Sequence, residues 1–495
     1  MLVTIIGVTP PYKFMKNRPV VIGIGCIQQK GNFDDLDEAL ILMDKAFKKA
    51  VDDTTNKKII NYIDAIQIPK GFWKYRDPAR WIANKNGIKS IETSVTKIGI
   101  LQQSLINSVC NKINIGEISA GVILGGESRY KMLKASIENK KYEESELTIN
   151  PDRYIKAPSD LNLDIEKKEL GEMAVGYYAI LESAFRAKTK KTLSEQSEFI
   201  ANLYSHFSKI ASNNEFGWID EPLQKEEIKK ECDKNVLQAF PYYKNHCTSW
   251  NVNQSCALII CSESLADKLN IPINKRVYPL SSTENNHMIP TLQRQNLTRY
   301  IGMEKAANFI IDICKKNNID VDFYDFYSCF PVAVQMFAES LNAKNIFNVS
   351  ITGGMPFCGG PLNSFVLHST AKIISEIRKK KDSAGIVTGV SGMMTKQSYA
   401  LWSNNSYIDF THKDFTDEAQ LNDKPIDISD LKHGEGTIIG YTIIKNKNTP
   451  KAIMFLNTND KKRKLITSND INVIHSMERE EWVGKIIKFK KNQLV

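Results

Sequence analysis

Three things are missing from this 495-residue chain. No apolar run approaches the ~20 residues that a membrane-spanning helix needs; the longest, "PVVIGIGC" and "CALIIC", stop well short, so no membrane segment is expected. No basic stretch precedes the short apolar patch of "MLVTIIGVTPPYKFMKNRPVVIGIG", and no small-residue cleavage site follows it, which argues against a signal peptide. Strand character begins just after Met15, so residues 1 to 14 read as an upstream extension outside the fold. Finally, there is no CxxC pair and no HExxH helix. Cys247, Cys256 and Cys261, with His246 beside the first, have metal-ligand chemistry without the usual spacing, and no metal site is expected. The nine cysteines are odd in number and scattered through apolar contexts, which suits buried free thiols in a reducing cytoplasm.

What is present fits a globular protein of two or three domains: 42% apolar residues, 25% charged, and a length beyond what one core organises. Lys and Arg outnumber Asp and Glu by 66 to 56, giving a field that favours anions. The runs "RKKK" (378–381) and "KKRK" (461–464) lack interleaved aromatics and read as solvated surface rather than a nucleic-acid patch.

The order along the chain is repetitive. A strand, "VVIGIGCI", leads to a helix in which Leu40, Met43, Phe47 and Val51 share one face; the strand "YIDAIQI", the helix "QQSLINSVCNKINIG" and the strand "AGVILGGES" follow. The same grammar returns with "SCALIICS", the helix "MEKAANFIIDICKKNN", "VDFYDFYSCF", a glycine-rich loop, the helix "LNSFVLHSTAKIISEIRKKK" and the strand "AGIVTGVSG". Strands alternating with amphipathic helices predict mostly parallel sheets covered on both faces, here as two repeated units. The first unit spans 15–240 and carries a polar helical insertion at about 127–240; the second spans 241–405. A polar, acidic stretch after residue 405 reads as a linker, and four short alternating strands predict a small β-rich, OB-like domain over 430–495. Its aromatics, Tyr441, Phe455, Trp482 and Phe489, are mostly needed for strand packing, so it is expected to cover the core or meet a partner rather than bind oligonucleotides.

The stretch "GGMPFCGGP" (353–361) demands explanation, because four glycines there let something approach the backbone closely. A thioester with its pantetheine arm is one candidate; tight strand-to-helix packing is the other. Together with "DFYDFYSCFPVAVQ", "ITGGMPFCGGPLNSF" and "SGMMTKQSYALW", this stretch resembles the thiolase superfamily, and within it the type 1 thiolase-like proteins usually labelled acetyl-CoA acetyltransferases, related to sterol-carrier-type thiolases and extended by a C-terminal domain. The resemblance covers about 18–400. It implies an α/β, five-layer αβαβα core of two halves, with coenzyme A or an acyl-CoA as substrate or ligand rather than a permanently bound cofactor. It also implies a binding surface at Gly353, Gly354, Gly359, Gly360, Pro361, Ser391 and Gly392. Thiolases of this kind pair through the sheet edge of the first half, so a homo-oligomer or another protein partner is a further expectation.

The catalytic set that the family uses is not matched. The nucleophilic cysteine belongs at about 98–100, where the chain reads "TKIGILQQSL"; the histidine has become Gly360; Tyr327 stands for the asparagine or histidine; the second cysteine has become Gly389. Val390, Ser391 and Gly392 precede Thr395, Lys396 and Gln397, with an amide in place of a possible imidazole, and Lys396 is expected to face solvent. Cys329, Cys358 and the Ser328 hydroxyl remain as candidate catalytic groups, and His368 reads as a satisfied helix-face histidine. Two functions stay open: acyl transfer or thioester processing in lipid or sterol metabolism through a non-standard residue, or a catalytically silent acyl-CoA-binding or scaffold protein, in either case cytoplasmic.

Overall fold

Residues 17–445 and 449–495 are described by the computed structural model; the upstream extension expected at 1–14 lies outside the described residues. The first half follows the alternation in the sequence. β1 (Pro19–Gln28) leads to α1 (Ala39–Asp53), whose Leu40, Met43, Phe47 and Val51 are buried as their spacing requires. Then come β2 (Ile63–Pro69), α2 (Pro78–Lys85), β3 (Glu92–Thr96), α3 (Gln102–Asn114) and β4 (Ala120–Ser128). α2 and β3 carry little sequence signal. "ETSVT" has one aliphatic residue and becomes a strand because both of its edges are paired.

The first sheet has the order β1-β8-β4-β2-β3-β5, with β5 (Arg153–Ile155) supplied by the insertion. β6 (Leu237–Ala239) and β7 (Tyr242–Tyr243) form a small hairpin before β8 (Asn253–Ser262). β8 lies antiparallel between β1 and β4, so it completes the first sheet although it follows the insertion; the second half therefore begins one strand later than position 241. It is buried along its whole length, a pattern that fits a central strand of either half and cannot choose between them. The sheet edge at β3 is occupied by the chain's own β5.

The second sheet, β10-β11-β12-β9-β13, comprises β9 (Tyr278–Asn285), β10 (Phe323–Asp325), β11 (Ala384–Ser391), β12 (Lys396–Ser403) and β13 (Thr411–Asp414). Both sheets mix parallel and antiparallel pairs, where mostly parallel pairing was expected; the antiparallel strands β8 and β12 enter by connections that periodicity does not reveal. α3 and the helix Phe365–Lys379 touch both sheets and form the central layer. α1 covers the outer face of the first sheet and the helix Ile301–Lys316 that of the second, which completes αβαβα.

The stretch after 405 is more than a linker: it adds β13 to the second sheet and forms the helix Thr416–Asn422. Beyond it, β14 (His433–Lys445), β15 (Pro450–Thr458), β16 (Arg463–Ser468), β17 (Ile486–Lys490) and β18 (Gln493–Leu494) close a five-stranded barrel in the order β14-β15-β16-β18-β17. Tyr441, Phe455 and Phe489 are buried in packing. The barrel is seated on the insertion helix Val175–Lys188: the buried Arg186 reaches Glu481 through two bonds of 2.8 and 3.0 Å and the Tyr441 hydroxyl at 3.1 Å. Arg463 also donates to the carbonyl of Arg294 at 2.6 Å. No helix among the described residues is long and apolar enough to cross a membrane.

Candidate functional site

The glycine loop is held from below by Asp325, the last residue of β10. Its carboxylate accepts the Ser350 hydroxyl at 2.9 Å and the amides of Ile351 and Thr352 at 3.0 Å, and burial pushes its pKa up against these bonds. The chain then turns at Gly353 (φ +91°), where a Cβ would stand 2.3 Å from the Ala211 amide nitrogen in the insertion helix Leu193–Ser212. At Gly360 a Cβ would meet the Thr248 methyl at 2.2 Å. Gly354 and Gly359 also have positive φ; the Gly359 backbone faces the Gln254 side chain, and Pro361 leads into the central helix. The atoms lying closest to this backbone are thus the protein's own. Insertion and loop interlock.

The "YSCF" box joins the same place. Ser328 Oγ accepts the Met355 amide at 3.0 Å, the Cys329 carbonyl accepts the Thr248 hydroxyl at 3.2 Å, and the Tyr327 ring sits edge-on to Phe365. Burial pushes the Cys329 thiol up to about 12, beside the Tyr178 hydroxyl, and pushes Cys358 higher still; both are neutral thiols at physiological pH. At the start of α3, Gln102 offers its carbonyl oxygen to the Val366 amide at 2.7 Å, an amide-to-helix brace at the end where a nucleophile would stand. Gly389 has no room for a side chain, since a Cβ would lie 2.5 Å from Ser398 Oγ. The Ser391–Gly392 turn is pinned by the buried Arg294, which donates to the Gly392 carbonyl at 2.9 Å.

Two expectations are corrected here. Lys396 does not face solvent: it is 1% exposed and donates to the Gly99 carbonyl at 2.7 Å, with burial lowering its pKa to about 8. Its position on β12, a central strand, decides this. His368 is not a satisfied helix-face residue either. It is 7% exposed, its Nε2 has no hydrogen-bond partner, and it lies with Cys26 and Cys256 in a group whose ligand atoms are all within 4.8 Å of one another. Cys256 therefore meets Cys26 and His368, and not the Cys247, Cys261 and His246 neighbours suggested by proximity in sequence. The hydrogen bond from Cys256, with His368 alongside, draws the Cys26 thiol down to about 5, while burial drives Cys256 up.

Two further features carry weak sequence signals. Glu127, at the end of β4 in "GGES", is buried; Oε1 accepts the Phe72 amide at 2.9 Å and Oε2 has no partner, and burial raises its pKa to about 7. Beside it the Arg129 guanidinium lies over the rings of Phe72 and Trp250, 4.4 and 4.1 Å from their centroids. A single residue, Ser249, separates Trp250 from Thr248, whose methyl stands beside Gly360.

No family model matches the chain. It is similar to a monomeric SCP2-thiolase-like protein type 1 from Mycobacterium smegmatis, at 22% identity and TM-score 0.81, covering 97% of this chain and 99% of that one. A "Ltp2-ChsH2(DUF35) aldolase" matches with TM-score 0.59 and 13% identity over 79% of this chain and 99% of its own. The peroxisomal 3-ketoacyl-CoA thiolase of Saccharomyces cerevisiae is 21% identical over 295 residues, 57% of this chain and 65% of the yeast enzyme; the chain thus spans just under two thirds of that relative. These likenesses, with the two sheets and central helices, define a thiolase-like fold. In this chain that fold carries a C-terminal β-barrel.

Proposed function

We propose that this protein binds an acyl-coenzyme A thioester without passing the acyl group through a cysteine at the usual loops. The observation that carries the reading is the Gly360 contact: where the family's histidine would stand, the Thr248 methyl leaves no space even for a Cβ. Around it the candidate groups are quiet. Cys329 and Cys358 are protonated, and the Ser328 hydroxyl oxygen is engaged by a backbone amide with no base recorded at it. Acyl-enzyme formation needs an activated nucleophile, and none of these three is one.

Binding is supported by the surface next to the loop. Arg129, lying over Phe72 and Trp250, offers a cation and aromatic faces suited to a nucleotide phosphate and base. The segment 248–250 runs from that surface to Gly360, whose amide donates to the Ser249 carbonyl at 2.8 Å. The proposed role lies beside lipid or sterol thioester metabolism in the cytoplasm. β5 on the β3 edge blocks the strand pairing by which thiolases dimerise, so the chain is expected to be a monomer, with the barrel as the surface for any protein partner.

Exchange of labelled coenzyme A into acetyl-CoA and longer acyl-CoA separates the alternatives. The expected result is saturable binding, weakened by Arg129→Ala, with no exchange above background. Exchange that depends on Cys329, Cys358 or Ser328 would overturn the proposal.

A further inference from the structure

Cys26 and Cys256 face one another across the β1–β8 pair. Gln29 donates to the Asn253 carbonyl, so hydrogen-bonded pairs fall on the odd residues of this part of β1 and Cys26–Cys256 is a non-hydrogen-bonded pair, the kind in which side chains stand closest. Gly23 and Gly25 point toward α1, so the alternation sends Cys26 to the opposite face, where the central helix brings His368. The sulfurs are 3.5 Å apart. The edge between two thiolates on a tetrahedral zinc, with Zn–S bonds of ~2.3 Å, is about 3.8 Å. One imidazole nitrogen lies within 4.8 Å of both sulfurs.

A second observation points to a ligand. His368 is more than nine-tenths buried, its Nε2 has no oxygen or nitrogen partner, and the polar neighbour of the ring is the Cys26 thiol, a weak partner that an ion bound between them would replace. Charge selects among ions: a divalent cation bound by two thiolates and a neutral imidazole has no net charge and suits an interior position. Two sulfurs and a nitrogen favour a borderline-soft cation over calcium or magnesium.

We propose that Cys26, Cys256 and His368 form a zinc(II) site, with a fourth position left for water or another small donor. Zinc takes both sulfurs as thiolates and the imidazole as neutral, so each proton these three groups hold, that of the Cys256 thiol among them, is released to solvent as the Zn–S bonds form; nothing is oxidised or reduced. The site is independent of the acyl-CoA reading, since it uses none of the residues on which that reading rests.

The test uses the full-length protein, reduced and stripped with a chelator, then titrated with zinc alone against a chromogenic competitor, and separately with cobalt(II). Expected are one zinc per chain, a zinc-dependent rise in Tm, and sulfur-to-cobalt charge-transfer bands in the near ultraviolet. Cys256→Ser and His368→Gln should lose stoichiometric uptake, while Cys232→Ser, at an exposed cysteine, should keep it. Reduced wild-type protein that takes up no zinc and shows no cobalt bands would overturn the proposal, whether or not the variants fold. Uptake undiminished in folded Cys256→Ser would do the same.

Discussion

Two pairs of cysteines in one interior behave in opposite ways. Cys329 and Cys358 sit in the "YSCF" box and the glycine loop, and burial pushes both of their pKa values up. Cys26 and Cys256 lie on β strands with no motif around them, yet one sulfur donates to the other and an imidazole stands alongside. Position in a fold therefore does not make a thiol reactive or a ligand; polar neighbours at short range do. The glycine loop is packed closely against the insertion, and the thiol–imidazole group stands on strands and a helix outside it.

The largest expected effect comes from trying to restore the missing chemistry. Gly360→His should destabilise the fold by on the order of 2 kcal/mol, because the new Cβ drives into the methyl of the half-buried Thr248. Adding Thr248→Gly should recover part of the loss, read by denaturant unfolding. Full stability of Gly360→His alone would mean that the loop retains a vacant histidine pocket.

Glu127 sharpens the contrast from the side of charge. Its folded pKa, raised to about 7 from an ordinary 4.5, means that the folded state holds this proton more tightly than the unfolded chain. Its contribution is unchanged below about pH 4.5 and turns unfavourable as pH rises to 7. Glu127→Gln should therefore leave stability unchanged at pH 4.5 and raise it by up to about 3 kcal/mol at pH 8, allowing 1.36 kcal/mol per unit. Equal effects at both pH values would show that burial does not hold Glu127 protonated.

Smaller effects are expected at the quiet thiols. Cys329→Ser and Cys358→Ser should each change acyl-CoA affinity by less than about twofold, since a neutral buried thiol loses little ligand contact on replacement. A tenfold loss by isothermal titration would move these sulfurs into the binding surface. Size-exclusion chromatography with light scattering should report a monomer; a dimer would mean either that β5 leaves the β3 edge or that the chain pairs through another surface.

Much of the fold was legible because periodicity survives in single elements: α1 and β4 are readable from their spacing alone, and the barrel from its short alternating strands. What was not legible depends on which strand meets which. β8 looks like the start of a second unit and closes the first sheet; "ETSVT" looks like loop and is a paired strand. Of the candidate site, the glycine loop and the "YSCF" box were legible as segments, and the Ser328–Met355 bond brings the two together. Lys396, His368 and the Cys26–Cys256 pair escaped because their partners are distant in sequence: Gly99 for the first and strands about 230 positions apart for the thiols.

The most direct measurement is intact-protein mass spectrometry after incubation with acetyl- and longer acyl-coenzyme A, under native and then denaturing conditions. The proposed thioester binding without acyl transfer predicts coenzyme A adducts in the native spectrum that vanish on denaturation. A covalent acyl increment that survives denaturation and maps to Cys329 or Cys358 would contradict it.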